Sequence, residues 1–169
     1  MYFFYLFVSL RQRDTKVLII NFSIYRSLES LTLQENNFVV PNARPALQTL
    51  AKALKNMKNC VILRLIDNTF KDGEMNLILK DLIENQSIRT FHLINVRFSD
   101  ALIDFIRGNK RVDDFTLSLI DPDERNMKKI AMALEFNQTL IHIDMSFMSY
   151  YETKIQSIIK RNILIRRST

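Results

Sequence analysis

The sequence contains few of the residues on which catalytic, redox and phosphate-binding chemistry depends. Its 169 residues include one cysteine, two histidines, two glycines and no tryptophan. The single cysteine, Cys60, excludes a disulfide framework and fits a reducing, cytoplasmic compartment. Gly73 and Gly108 cannot form a phosphate-cradling loop, and His92 and His142 are too isolated for a metal set. We therefore predict a protein that is not an enzyme and that has no metal or cofactor.

Long hydrophobic runs are also missing. The apolar run at residues 2–8 has seven residues, whereas a bilayer crossing takes roughly 20. It has neither the basic segment before it nor the small-residue cleavage site after it that a secretory signal needs. We predict no membrane contact. We expect residues 1–26 to be an apolar and basic segment that either caps the first repeat or is the atypical start of a shortened chain.

Positive charge is concentrated at the two ends of the chain. The formal net charge is +6, of which residues 1–26 carry +3 and residues 154–169 carry +5, so that the middle carries −2. A nucleic-acid groove needs Lys and Arg clustered on one folded face, and a nearly neutral body argues against nucleic acid as a partner. The basic end instead favours an acidic partner such as a filament surface.

What the sequence does have is one apolar pattern, written L-x-x-L-x-L, that occurs five times. The steps between successive first positions are 32, 28, 24 and 28 residues. This period is typical of a leucine-rich repeat in which a helix follows each strand. The first positions are Leu28, Cys60, Ile88, Val112 and Leu140.

The segments between the strands repeat as well. Apolar residues stand six, nine and ten positions before each strand from the second to the fifth, which places them on one face of a helix. Asn85, Asn109 and Asn137 lie three residues before a strand, and we expect them to end helices in the left-handed conformation. After the strands, Asn36 and Asn68 fit the asparagine that ties down neighbouring backbone in such repeats. Near the end of the chain, Ile155, Ile159 and Asn162 continue the register and predict a further strand at Ile165.

These patterns predict an α/β fold of the ribonuclease-inhibitor-like, leucine-rich-repeat type. We expect a curved, right-handed array of about five strand–helix units over residues 27–169, with a parallel sheet on the concave side and helices outside. Arrays of this kind present extended binding surfaces.

Four segments give a more specific resemblance. Ser27–Asn37, Leu47–Leu54, Arg125–Leu140 and Ile158–Arg167 resemble the C-terminal leucine-rich-repeat domain of tropomodulins and leiomodins, and the order of the repeat lengths is similar too. The resemblance implies a non-catalytic actin-binding protein that caps or nucleates filaments at the pointed end. It implies a cytoplasmic location on the cytoskeleton, with the sarcomeric thin filament as one setting, and tropomyosin as a co-ligand. The family's tropomyosin-binding N-terminal half has no counterpart in residues 1–26.

The resemblance also implies which residues contact actin, chiefly in the strand-to-helix loops and at the basic end. Arg97, Lys71 and Ile141 are not needed by the fold, whereas Phe98 and Ile120 also fit core positions of a repeat. Carried over by position, the candidates are Ile66, Lys71, Asn95, Arg97, Phe98, Leu119, Ile120, Ile141, Arg161, Arg166 and Arg167.

Two other functions remain open at this point. The first is a general repeat scaffold that binds a protein on its concave face. The second is a regulator of a nuclease or GTPase built on the same repeat. The concave face would consist of the strand spacers Ser30, Thr32, Ile62, Arg64, Thr90, His92, Asp114, Thr116, His142 and Asp144.

Overall fold

The computed structural model describes residues 4–8, 28–39, 43–71, 73–145 and 151–168. Within these ranges the chain forms six strands, which make one parallel sheet in sequence order, and five helices, one after each of the last five strands. The strands are β1 Phe4–Val8, β2 Leu28–Gln34, β3 Ile62–Ile66, β4 Thr90–Val96, β5 Asp114–Leu119 and β6 His142–Met145. The helices are α1 Ala43–Asn56, α2 Met75–Ile83, α3 Asp100–Gly108, α4 Glu124–Phe136 and α5 Glu152–Arg167.

The register of the sheet follows the sequence repeat. Strands β2 to β6 pair so that the fourth positions of the pattern form one row and the sixth positions form another. The two rows are Leu31, Leu63, Phe91, Phe115, Ile143 and Leu33, Leu65, Leu93, Leu117, Met145. Because alternate residues of a strand share a face, both rows point to the same side of the sheet. This confirms the predicted leucine-rich-repeat fold.

The core lies between these rows and the helices. All twelve helix positions that the spacing marks as apolar are buried, and neighbouring helices pack against one another. An aromatic cluster fills the middle of the array, where Phe91 lies 5.3 Å from Phe105 and 5.5 Å from Phe115 between ring centroids. Each buried large apolar side chain contributes roughly 1.5–3 kcal/mol, so this interface is the main source of stability.

The asparagines before the strands do not adopt the left-handed conformation, and that expectation was wrong. Asn109 has φ −70° and ψ 131°, and Asn137 has φ −80° and ψ 131°. Their side chains, rather than their backbones, make the turn. Asn137 donates from Nδ2 to the carbonyl of Ile106 at 2.7 Å and accepts at Oδ1 from the amides of Thr139 and Leu140. Asn85 and Asn109 bond in the same way.

The chain does not begin a further strand at Ile165. Helix α5 continues through that residue to Arg167, and Ile165 is 40% exposed. Ile155 and Ile159 are buried as expected. Asn162 completes the asparagine series from within the helix, because its Nδ2 donates to the carbonyls of Asn137 and Leu140. No glycine or proline interrupts residues 152–167, and the helix runs past the turn position.

The N-terminal strand adds to the predicted array. The backbone of β1 pairs in parallel with β2, with Leu6 opposite Leu31 and Val8 opposite Leu33. Residues 4–8 therefore continue the sheet beyond the first predicted repeat, while the rest of the segment 1–26 lies outside the described residues. None of the helices in the described part of the chain combines the length and the apolar character that a bilayer crossing requires.

Candidate protein-binding surface at the strand-to-helix loops

The strand-to-helix loops start with a left-handed residue at the carboxyl edge of the sheet. Glu35, Asp67 and Asn95 have φ between 53° and 56° although none is glycine. Such residues are held in place by their surroundings, and here the neighbouring repeat supplies the contacts. The Glu35 amide donates to the carbonyl of Ile66 at 3.0 Å, and the Asp67 amide donates to the carbonyl of Ile94 at 3.1 Å. The loops are therefore bonded to one another at regular intervals.

Two buried asparagines hold the first two loops together, as the sequence predicts. Asn68 accepts at Oδ1 from the backbone and side-chain nitrogens of Asn36, both at 3.0 Å, and donates from Nδ2 to the carbonyl of Leu33. The aromatic residues two positions on, Phe38 and Phe70, stack with ring centroids 5.0 Å apart. A buried side chain that bonds on both sides fixes the loop backbone, so these loops form a preorganised surface.

A pocket of about 540 Å³ opens between the loops that follow β3, β4 and β5. Of its lining residues, Met75 and Val96 are buried, and Phe70 and Phe98 are half-buried. Two further lining residues are bonded to each other, since Asn95 Nδ2 hydrogen-bonds to Asp67 Oδ1, and Ser118 Oγ donates to Asn95 Oδ1 at 3.3 Å. The remaining lining residues are Asn68, Thr69, Lys71, Gly73, Asn76, Arg97, Ser99 and Ile120.

Five of the candidate contact residues line this pocket, namely Lys71, Asn95, Arg97, Phe98 and Ile120. A sixth, Ile66, lies at the end of β3 directly before the loop and is half-buried. We call these six residues the loop surface. The structure thus brings together the part of the candidate set that belongs to repeats two, three and four.

The structure reverses the roles expected of Leu119 and Ile120. Leu119 is 3% exposed and belongs to the core, so its side chain cannot contact a partner, whereas Ile120 is 45% exposed and is not a core residue. The cause is a shift in the pairing of β4 with β5. Leu93 pairs with Leu117, but Val96 then pairs with Leu119, so β5 is one residue short. Leu119 therefore takes the buried position, and Ile120 lies outside.

Phe98 is only partly a core residue. It packs against the core from the loop side, and Lys129 Nζ lies 5.4 Å from its ring centroid. Lys129 also pairs with Asp100 at 2.8 Å, and this hydrogen bond lowers the pKa of the Asp100 carboxyl. One lysine from α4 thus contacts both the first turn of α3 and the face of the Phe98 ring.

Two further polar groups at this pocket could not be predicted from the sequence. Asn76 Oδ1 and Ser99 Oγ are both buried, and neither has a hydrogen-bond partner among the described residues. Ser99 is the N-cap residue of α3 but its side chain makes no capping bond. A buried polar atom without a partner costs about 1–3 kcal/mol. Among the described residues, hydrogen bonding of buried side-chain groups is therefore less complete at the pocket than elsewhere in the fold.

The other four candidates lie away from the loop surface. Ile141 precedes β6 at the amino edge of the sheet, where the strands begin, and is half-buried. Arg161 belongs to the fold, since its guanidinium donates to the carbonyls of Glu135 and Asn137 and to Asn162 Oδ1. Arg166 Nη1 contacts Asp113 Oδ2 at 3.1 Å at the start of β5, and Arg167 is exposed. The candidates therefore fall on two opposite edges of one sheet.

The concave face, defined as the sheet face turned away from the helices, carries polar side chains that contact each other. Arg64 Nη1 donates to Ser30 Oγ at 3.1 Å, and His142 Nδ1 lies 2.7 Å from Asp114 Oδ1. Partial burial, reinforced by the nearby Arg64 charge, lowers the pKa of His92. In the described part of the chain, no group of three or more His, Cys, Asp or Glu side chains could hold a metal ion.

Comparison with known proteins supports this fold. The structure is similar to a Caenorhabditis elegans tropomodulin C-terminal domain, with a TM-score of 0.69 and 18% identity over 91% of this chain and 96% of that one. It is also similar to leiomodin-1 actin-binding site 2, with a TM-score of 0.73 and 14% identity over 94% of each chain. No family model and no curated protein matches the sequence.

Proposed function

We propose that this protein binds actin and caps the pointed ends of filaments, in the manner expected of a tropomodulin-type repeat domain. The observation that carries the proposal is the likeness to leiomodin-1 actin-binding site 2, which extends over 94% of both chains. A match of that extent concerns a whole domain rather than a few shared repeats. The neighbour's name supplies actin as the partner, and the sequence resemblance independently points to the same protein class.

The loop surface has the composition of a protein-binding site. Lys71 and Arg97 are exposed at its rim, Ile120 is exposed beside them, and the half-buried Phe98 lies behind. Protein interfaces combine an apolar centre that loses its water with a polar rim that fixes orientation. Because the loops are already bonded to each other, little conformational entropy is lost when a partner binds.

The proposed mechanism is steric. A folded domain that is bound to the last subunits of a filament occupies the position of the next subunit, so that neither addition nor loss can proceed at that end. This action needs no catalytic group, and it requires that the surface recognise the filament end. In this proposal the loop surface makes the contact. Leu119 is left out because it is buried, and Ile141, Arg161, Arg166 and Arg167 are left out because they lie at the opposite edge of the sheet.

The test is the elongation of actin filaments whose barbed ends are already blocked, followed by fluorescence while purified protein is added. We expect elongation to slow at protein concentrations well below that of actin, because filament ends are few. Unchanged elongation up to tens of micromolar, with circular dichroism showing folded protein, would contradict capping. Co-sedimentation with filaments then shows whether binding to filament sides survives without capping.

Matched variants locate the contact. Lys71→Glu with Arg97→Glu changes two exposed cations of the loop surface, and we expect it to weaken capping by about tenfold or more. Lys52→Glu with Lys80→Glu makes the same change of charge on exposed residues of α1 and α2. This control should cap like the unmodified protein. Equal losses in the two double variants would mean that overall charge, and not the loop surface, governs binding.

The same elongation assay tests whether tropomyosin takes part in capping, and microscopy tests the cellular location. We expect the half-maximal concentration to stay the same on tropomyosin-coated filaments, because each candidate residue was carried over as an actin contact. The proposal places the protein on actin filaments in the cytoplasm, and a tagged protein should concentrate at filament ends. A lower half-maximal concentration with tropomyosin would show that it acts as a co-ligand.

A concave-face scaffold is the alternative. The contacts Arg64–Ser30 and His142–Asp114 already engage charged side chains of that face, which favours the loop surface. Thr116 lies on β5 of the same face, opposite His92 and Asp144 in the sheet register, and is half-exposed. Thr116→Arg should leave actin capping intact, and a loss of capping in this variant alone would favour the concave face.

A further inference from the structure

A cluster of arginines lies at the amino edge of the sheet, opposite the loop surface. Arg89 Nη1 donates to the carbonyl of Arg111 at 3.3 Å, and Arg111 Nε donates to Gln86 Oε1 at 2.7 Å. The backbone carbonyl of Arg89 accepts from the amide of Asp113 at 2.9 Å, and Asp113 contacts Arg166. Three arginines from three parts of the chain thus meet at this edge, and one of them, Arg166, pairs with the Asp113 carboxylate.

The surrounding turns add to the positive charge. We define the amino edge as residues 57–61, 84–89, 109–113 and 137–141 together with the end of α5, 165–168. It contains six basic and two acidic residues, a net of +4, and one of the acids, Glu84, is already paired with Lys55 at 2.7 Å. The described loops at the other edge, 35–39, 67–71, 73–74, 97–99 and 120–123, contain two basic and five acidic residues, a net of −3.

Helix dipoles account for part of this polarity but not for the cluster. Cations are favourable near helix C-termini and anions near N-termini, and the effect falls off within one turn. Arg89 and Arg111 lie beyond the ends of α2 and α3, in the turns that lead to the next strands. Each guanidinium uses one N–H group within the described residues, which leaves further donors of both side chains for a partner.

Exposed apolar side chains accompany these charges. Phe136, at the end of α4, is 63% exposed, and Leu164 is 64% exposed on the last turns of α5 beside Ile165. Arg161 connects the two helices by donating to the carbonyls of Glu135 and Asn137, on either side of Phe136. Because residues three and four apart share a helix face, Leu164 and Ile165 continue the surface from Arg161.

We propose that the amino edge, together with the adjacent Phe136 and Leu164, docks an acidic polypeptide segment that also carries apolar side chains. Guanidinium groups match carboxylates in two-point geometry, and arginine next to an exposed aromatic is a composition enriched in protein interfaces. The exposed apolar side chains beside the cluster favour a polypeptide over nucleic acid, and Arg107, 5.5 Å from the centroid of the Phe136 ring, occupies one face of that ring. This site is separate from the loop surface and does not depend on actin binding.

The probe is a fluorescein-labelled synthetic peptide that repeats Glu-Glu-Leu-Glu-Glu-Phe, titrated with the full chain and followed by anisotropy. We expect micromolar binding that weakens as salt rises from about 50 mM to about 500 mM. Lys110→Glu with Arg111→Glu should weaken it about tenfold. The control double variant, Lys52→Glu with Lys80→Glu, should bind the peptide within about twofold of the unmodified protein. Thermal denaturation verifies that each variant is folded.

A second variant tests the apolar half without changing charge. Phe136→Ser alters a mostly exposed side chain, so it should fold normally and should bind the peptide about three- to fivefold more weakly. Equal binding of poly-glutamate and the peptide, together with no effect of Phe136→Ser, would overturn the apolar requirement. Tighter binding of a thymidine oligonucleotide or of phosphatidylserine vesicles, lost in the Lys110 and Arg111 variant, would overturn a polypeptide as the partner.

The actin assay keeps this inference distinct from the proposed function. The Lys110 and Arg111 variant should still cap filaments, and the Lys71 and Arg97 variant should still bind the peptide. If the unmodified protein fails to cap, the peptide titration still decides the docking site. No peptide binding, or equal weakening by the control double variant, would overturn it.

Discussion

Asn109 donates from Nδ2 to the carbonyl oxygen of Leu82, which lies 27 residues earlier in the chain, at 3.0 Å. The same side chain accepts at Oδ1 from the amides of Arg111 and Val112 at 2.9 and 2.7 Å. The side-chain amide of Asn109 therefore provides hydrogen-bond partners both for the end of α2 and for the turn that leads into β5. Because Asn85 and Asn137 do the same for their own repeats, the array is held at the amino edge by side chains as well as by the sheet.

We expect Asn109→Ala to lower the free energy of unfolding by about 2–4 kcal/mol, because it leaves the backbone amides of Arg111 and Val112 without their acceptor and removes the inter-repeat hydrogen bond to the Leu82 carbonyl. Urea denaturation followed by circular dichroism gives the value. Asn56→Ala is the matched control, since Asn56 is exposed and bonds only within its own helix, to the carbonyl of Lys52. The control should change stability by less than about 0.5 kcal/mol. Similar losses in both would show that the inter-repeat bonds are not the cause.

The two helix starts that carry Asp123 and Ser99 should respond differently to alanine. Asp123 caps α4, accepting at Oδ1 from the amide of Asn126 at 2.6 Å, and its loss should cost about 1 kcal/mol. Ser99 makes no such bond and its Oγ is buried without a partner among the described residues. Ser99→Ala should therefore be neutral or stabilising in thermal denaturation, and a loss as large as that of Asp123→Ala would reveal a bond to Ser99.

Leu119 and Ile120 allow a direct test of the register shift between β4 and β5. Leu119→Ala should destabilise the protein by about 2–4 kcal/mol because it leaves a cavity in a closed core. Ile120→Ala should change stability by less than about 0.5 kcal/mol while reducing the affinity for the partner of the loop surface. Chemical denaturation and the capping assay separate the two effects. A large loss of stability in Ile120→Ala with a small loss in Leu119→Ala would show that Ile120, and not Leu119, belongs to the core.

Cys60 should be unreactive in the folded protein. Burial raises the pKa of its thiol from 9.0 to about 11. The thiolate fraction at pH 8 is then roughly a hundredfold smaller than in an exposed cysteine. We expect iodoacetamide labelling, measured by mass spectrometry, to be slow at pH 8 and to become fast in urea. Rapid labelling of the folded protein would contradict the buried position of this thiol.

The same pKa shift predicts how stability depends on pH. Above about pH 9 the unfolded chain loses the Cys60 proton while the folded chain retains it until about pH 11. The unfolded state therefore binds fewer protons in this interval, and stability falls as pH rises through it. Urea midpoints measured across the interval should show this fall, and Cys60→Ala should reduce it. An identical slope in that variant would assign the effect to other groups.

The sequence predicted the sheet and its register because position 31 of the chain and its equivalents repeat with fixed spacing, and spacing determines which residues share a face. It could not predict the backbone at Asn109 and Asn137, since their side-chain bonds to the previous repeat depend on contacts far apart in the chain. Which of Leu119 and Ile120 is buried depends on a one-residue difference in length between β4 and β5. A repeat pattern whose spacing varies between units does not reveal a difference of one residue.

The candidate site was predictable only in part. Lys71, Arg97 and Phe98 meet at one pocket because the carboxyl ends of parallel strands meet at one edge. Ile141 and the C-terminal arginines lie at the other edge, since α5 runs on past its turn and brings Arg166 to Asp113. The sequence pattern did not predict that Arg89 and Arg111 are neighbours, because they are 22 residues apart in the chain. Their proximity comes from the stacking of neighbouring turns.

The opposite signs at the two edges of the sheet give the described turns and loops an electric dipole directed along the strands. A dipole turns in the field of a strongly charged surface before contact is made, so that collisions occur in fewer wrong orientations. For this chain, an acidic polypeptide segment would meet the arginine-rich edge first and leave the loop surface free for its own partner. Ionic strength should then act mainly on the rate of capture rather than on the lifetime of the complex.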